Sequence, residues 1–157
     1  MNGITDTGSS CIIGPSAEIN SIQNRILKQI EASVSTDASW DYTFPCSERT
    51  NLPSFELLYG GYWFQVNVED YVIDLSTSDS TWGTTCALCF STYESEWILG
   101  DAFMRGWYNI HDHDNLRMGF YSINTAEKTA PEAQTSTPTT ALPDVVISVS
   151  TNVFGLP

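Results

Sequence analysis

Basic side chains are scarce: six Lys and Arg stand against 19 Asp and Glu in 157 residues, for a formal net charge of −13. Phosphate backbones and anionic bilayers are held by clusters of Lys and Arg. No such cluster exists here, which excludes nucleic acid and anionic membrane surfaces as partners. The acidic excess reads first as a soluble, self-repelling surface. It also suits an acidic compartment, where carboxylates are partly neutralised. Long apolar runs are missing too, so no membrane-spanning helix is expected. The opening residues MNGITDTGSS have neither the basic start nor the apolar core of a signal peptide. No Asn-X-Ser/Thr glycosylation acceptor occurs. Cysteines number four: Cys11, Cys46, Cys86 and Cys89. Cys86 and Cys89 form one CxxC with no second pair and no His pair, which argues against zinc. A redox CxxC opens a helix, whereas TTCALCFS reads as a strand. One or two disulfides are compatible with this count.

What is present suits one domain with a core: 41% of residues are hydrophobic and 12% aromatic. The clearest helix is GPSAEINSIQNRILKQIEA. Its Ile19, Ile22, Ile26, Leu27 and Ile30 fall on one stripe, with Ser16 as expected N-cap and Lys28 near the negative pole. From Trp40 the pattern turns to strands. WDYTF alternates, SFELLY and YWFQVNV flank Gly60-Gly61 as a hairpin, and YVIDL, CALCFS and EWILG are further strands. Asp101 is the expected cap of a short helix AFMRGW, and YNIHD pairs with LRMGFY across the last turn. The fold class expected is mostly β with one main helix. Two units follow from composition: a folded domain at 1–123 and a Thr/Pro-rich tail at 124–157, expected to be disordered because it has no periodic apolar face.

Chemistry concentrates in two segments. ITDTGSSCIIGPSAEINSI carries a β-branched strand, an Asp-Thr-Gly loop with a following hydroxyl, then Gly-Pro and the amphipathic helix. WILGDAFMRGWYNIHDHDNLRMGFY carries two apolar residues and Gly, then Asp, a short helix and a hairpin. Together with LPSFELLYGGYWFQVNVEDYVI between them, these segments resemble the C-terminal lobe of pepsin-like aspartic proteases over about residues 3–122. HDHD at 111–114 raises metal binding, but alternate residues of a strand face opposite ways and the segment coincides with the terminal hairpin. No metal and no cofactor are expected.

The resemblance implies an acid endopeptidase in which two aspartates, one per lobe, flank a water and share a proton. Asp6 is then one of that pair. Thr7 holds the two loops together through its hydroxyl, Gly8 lets its backbone reach the carboxylate, and Ser9 donates to the outer oxygen. Ile98, Leu99 and Gly100 are the strand threading beside the loop. Cys46 and Cys86 match the lobe's disulfide, which closes a loop of about 40 residues and is worth roughly 4 kcal/mol. Cys11 and Cys89 have no counterpart and are left as free thiols or an additional bridge. The substrates implied are extended polypeptides, the partner implied is an N-terminal lobe missing from these residues, and the setting is secretory, vacuolar, lysosomal or extracellular. The strands that precede Asp6 in such a lobe are missing too. The chain thus reads as a fragment or truncated gene product, inactive alone. Alternatives are a self-paired dimer and a non-catalytic protein-binding lobe.

Overall fold

A computed structural model describes residues 3–77, 79–115, 117–122, 132–133 and 148–149. Strand β1 (Gly3–Thr5) is followed by β2 (Ile12–Pro15), helix α1 (Ser16–Leu27) and β3 (Thr43–Pro45). The hairpin β4 (Phe55–Tyr59) and β5 (Tyr62–Val66) comes next, then α2 (Val68–Tyr71) and β6 (Val72–Asp74). After β7 (Thr85–Leu88), β8 (Phe90–Tyr93) and β9 (Trp97–Leu99) come α3 (Asp101–Met104) and the pair β10 (Trp107–Asp112) and β11 (Arg117–Ser122). The fold is mostly strands in open sheets, the arrangement expected of a single pepsin-like lobe.

Local chemistry accounts for the best-read elements. Gly60 and Gly61 both have positive φ, 59° and 83°. That is the pattern of the two-residue turn whose twist matches an antiparallel pair, and β4 and β5 pair across it from Phe55–Val66 to Tyr59–Tyr62. In α1 the stripe Ile19, Ile22, Ile26 and Leu27 is buried, as helical periodicity requires. The cap differs from expectation. Pro15, with extended angles, occupies the N-cap, and Ser16 is the first helical residue with no side-chain cap bond. Likewise Gly100, rather than Asp101, is the N-cap of α3. In each case the preceding residue already carries the extended conformation a cap position needs.

CALCFS is two strands, not one. Thr85–Leu88 sits between β3 and β6, whereas Phe90–Tyr93 pairs with β2. Cys89 is the crossover: its N–H donates to the Tyr71 carbonyl at 2.8 Å, and its carbonyl accepts from Ile12 N–H at 3.1 Å. One strand-like run thereby ties two sheets together, with Cys86, Ala87, Leu88 and Cys89 all buried. YVIDL also divides, since Tyr71 ends α2 and the strand begins at Val72.

The core is one cluster in which α1 packs with the β2 and β9 residues Ile12, Trp97 and Leu99. Phe64 is an aromatic hub, with ring centroids 4.9 Å from Phe120, 5.2 Å from Trp107 and 5.6 Å from Phe103. Such edge-on contacts add about 1 kcal/mol each beyond area burial. They fix the β10–β11 hairpin to the lobe. Most of the stretch 124–157, expected to be disordered, lies outside the described residues. Two pairs within it flank the β4–β5 hairpin: β12 (Glu132–Ala133) antiparallel to β5 and β13 (Ser148–Val149) parallel to β4. Among the described residues no helix is long and apolar enough to cross a membrane.

Candidate active site

The sheet order β1-β9-β2-β8 builds the site. β9 lies between β1, to which it is parallel, and β2, to which it is antiparallel. The loop from Asp6 to Cys11 therefore leaves one side of β9 and returns on the other, passing over its end. Gly100 sits at that crossing. A Cβ there would stand 2.2 Å from the Ser9 carbonyl oxygen and 2.6 Å from that of Cys11. Only a residue without a side chain permits this approach.

Three consecutive N–H groups at the start of α3 hold the loop. Gly100 donates to the Cys11 carbonyl at 3.3 Å, Asp101 to Ser9 at 2.8 Å and Ala102 to Ser10 at 2.9 Å. These are the donors a helix start leaves without intrahelical partners, so the loop carbonyls satisfy them. Upstream, Asp6 N–H donates to the Leu99 carbonyl at 3.1 Å. Asp6 and Gly100, far apart in sequence, are in this way placed at one point.

Asp6 as a residue is half-buried, and its carboxylate is engaged on both oxygens. Gly8 N–H donates to Oδ1 at 2.9 Å, and the Ser9 hydroxyl donates to Oδ2 at 2.7 Å. The Ser9 hydroxyl first, and the Gly8 N–H second, hold the carboxyl below its ordinary range, because both bonds favour the charged form. Thr7 and Gly8 are exposed at the loop tip. Leu99 is buried under the loop, while Ile98 is half-buried in register with Ile4 on β1 and Ile13 on β2. Those three isoleucines form an apolar row on the outer face, where Ile4 is 43% exposed. Thr5, on the opposite face of β1, donates its hydroxyl to the Met118 sulfur at 3.2 Å.

Cys46 and Cys86 are joined, spanning 40 residues. Cys11 and Cys89 are joined as well, so the additional bridge is formed and neither is a free thiol. Asp74 lies near Cys46 and Cys86, but those sulfurs are bonded to each other. Within HDHD, His111 and Asp112 end β10, and the Asp112 carboxylate accepts from the backbone N–H and side-chain amide of Asn115. The strand reading of that segment stops one residue short of His113. Sequence reasoning did not identify the α3 amides as loop anchors, since a backbone N–H leaves no mark in the residue type. Cys11, five residues after Asp6, was the visible clue to the second bridge.

A carboxylate on a Gly-bearing loop, pinned by its own hydroxyl neighbour and threaded over a strand between two others, is the arrangement expected of a pepsin-like lobe. Residues 1–123 match the family model described as "Eukaryotic aspartyl protease", and the chain belongs to that family. Among curated relatives, Aspartic protease 17 of Caenorhabditis elegans is 35% identical over 127 residues, covering 74% of this chain and 29% of that protein. Human cathepsin D is 31% identical over 128 residues, covering 74% and 28%. A probable aspartic-type endopeptidase of Arthroderma otae is 29% identical over 137 residues, covering 87% and 34%. The chain thus spans about a third or less of the length of these relatives.

Proposed function

We propose that this chain is the C-terminal lobe of a pepsin-like aspartic endopeptidase, and that Asp6 is one of two catalytic carboxylates, the other coming from an N-terminal lobe. The observation that carries this reading is the doubly held Asp6 carboxylate, with Gly8 N–H at 2.9 Å and Ser9 hydroxyl at 2.7 Å. Donors on both oxygens favour ionisation and leave the carboxylate aimed rather than free to rotate. Two carboxylates a few ångströms apart do not both ionise, so their titrations split. One then acts as base and draws a proton from water as it attacks the peptide carbonyl. The other, protonated, delivers its proton to the carbonyl oxygen and later assists departure of the amine.

In this reading Thr7, which is exposed at the loop tip, engages the opposite loop. Leu99 and Gly100 support the loop from beneath, and the apolar row Ile4, Ile98, Ile13 suits a face covered by the second lobe. Substrates are extended polypeptides. Two disulfides fit an oxidising compartment, hence the secretory route or a vacuolar, lysosomal or extracellular destination. The share of the relatives' length, about a third or less, agrees with one lobe. A lone carboxylate cannot be acid and base together, so the 157 residues by themselves are inactive.

The test is direct. The purified chain should release no peptide products from a denatured protein substrate between acid and neutral pH. The same chain joined to an N-terminal lobe carrying its own Asp-Thr-Gly should cleave best in acid, and Asp6→Asn should abolish that cleavage. Robust cleavage by the monomeric chain alone would overturn the reading. A second reading, a protein-binding lobe without catalysis, draws on Tyr108, Ile110 and Tyr121, which are 63%, 50% and 66% exposed. It predicts that the joined protein stays inactive while still binding a partner.

A further inference from the structure

Cys11 closes the loop that Asp6 opens, and its side chain is bonded to Cys89. The two ends of this bridge lie in contrasting surroundings. Cys89 is fully buried, and its backbone is fixed on both sides by Tyr71 and Ile12. The loop, in contrast, is exposed at Thr7, Gly8 and Ser10. A covalent tie therefore runs from an exposed loop to the residue at which the chain crosses between two sheets. The loop's other attachments are individually weak hydrogen bonds: Asp6 N–H to the Leu99 carbonyl, the Gly100, Asp101 and Ala102 N–H groups to loop carbonyls, and the pairing of β2 from Ile12 onward. The second disulfide is different. Cys46 follows β3 and Cys86 lies in β7, in a sheet separate from the one that carries the loop.

We infer that the Cys11–Cys89 disulfide is a positioning clamp for Asp6, holding the downstream end of the loop so that Ser9 and Gly8 stay on the carboxylate. It immobilises Cys11 at the point where the Cys11 carbonyl meets Gly100 N–H. The loop between Asp6 and Cys11 is then fastened at both ends, by β1–β9 pairing upstream and, downstream, by the bridge at Cys11 beside the pairing of β2. Without the bridge, hydrogen bonds alone keep the loop carbonyls on α3, and a loop so held opens locally more often than the core. The catalytic importance of the clamp rests on the protease reading of Asp6. The clamp itself does not.

The experiment uses the full chain with Cys11→Ala/Cys89→Ala, against Cys46→Ala/Cys86→Ala as control. Amide hydrogen exchange at Asp101 and Ala102 is compared with that at Ile22 and Ile26 in α1, and the Asp6 carboxyl is titrated by NMR. Asp101 on α3 and Tyr93 on β8 are the titratable side chains on the elements that hold the loop, and both are kept in every variant. Loss of the clamp should speed exchange at Asp101 and Ala102 by about ten-fold more than in α1, and should move the Asp6 titration upward toward the ordinary carboxylate range. The control should raise exchange at all four amides by a common factor and leave Asp6 in place. Equal effects of the two double variants, or an unmoved Asp6 in the first, would overturn the clamp. Should the alanine pair fail to fold, Cys11→Ala/Cys89→Val refills the buried site and reads the same quantities. Proteolysis enters neither measurement, so failure of the clamp and failure of the protease reading are separable.

Discussion

Replacing Gly100 with alanine probes the crossing at the heart of the site. The backbone angles of Gly100, φ −84° and ψ −160°, are open to any residue, so conformational strain contributes little. Contact does the damage: the new Cβ would meet the Ser9 carbonyl oxygen at 2.2 Å and the Cys11 carbonyl oxygen at 2.6 Å. Both atoms are backbone and cannot rotate away. Relief requires the loop to lift by about 1 Å, which stretches the bonds that Gly100, Asp101 and Ala102 donate to Cys11, Ser9 and Ser10. Each such bond is worth about 1 kcal/mol net, and overpacking adds about 1–3 kcal/mol. A loss of about 4–6 kcal/mol follows, because the loop cannot relieve the clash and keep its bonds. At about 2–4 °C per kcal/mol for a domain of this size, Tm should fall by roughly 10–20 °C. Urea unfolding of the disulfide-intact chain, followed by tryptophan fluorescence, measures the change. Gly119→Ala is the matched control, since its Cβ meets nothing nearer than Ile110 at 3.5 Å; its effect should stay within about 0.5 kcal/mol. If Gly100→Ala unfolded at the same urea concentration as the parent chain, the crossing would not be as tight as described.

Three further outcomes are expected from the packing around the site and the disulfides. Gly14→Ala would drive a Cβ to 2.8 Å from the fully buried Trp97 ring, costing about 1–3 kcal/mol and altering the near-UV circular dichroism; an unchanged spectrum and stability would contradict this packing. Cys46→Ala/Cys86→Ala opens a 40-residue span and should lower unfolding free energy by about 4 kcal/mol on the chain-entropy model, measured by urea denaturation. Ser9→Ala removes the first cause of the low Asp6 pKa, so the Asp6 titration should move up. Because the folded pKa is depressed, the associated stability is present above the unfolded carboxyl's range and disappears as pH falls through the folded value. The variant has a smaller contribution to lose, and that contribution is exhausted at a higher pH than in the parent, visible in NMR titration and in the acid limb of a stability profile.

Much of this protein was determined by short-range sequence. Gly8 and Ser9 lie within three residues of Asp6, so the two donors on its carboxylate are local and legible in Asp-Thr-Gly-Ser. The α1 stripe and the Gly60–Gly61 hairpin were equally readable, because 3.6-residue spacing and paired positive-φ glycines act within one element. Tertiary structure alone decided what surrounds them. The Cys89 crossover depends on β8 joining β2 while β7 stays in another sheet, and the α3 amides on the loop carbonyls and the row Ile4, Ile98, Ile13 depend on β9 lying between β1 and β2. That pairing joins segments from opposite ends of the lobe. No periodicity within either segment encodes the register, since it is set by which buried faces meet, Trp97 and Leu99 inward with Gly3 and Ile12. The same holds for Cys11 and Cys89. Four cysteines permit several pairings, and only a fold that brings an exposed loop onto a buried crossover chooses one.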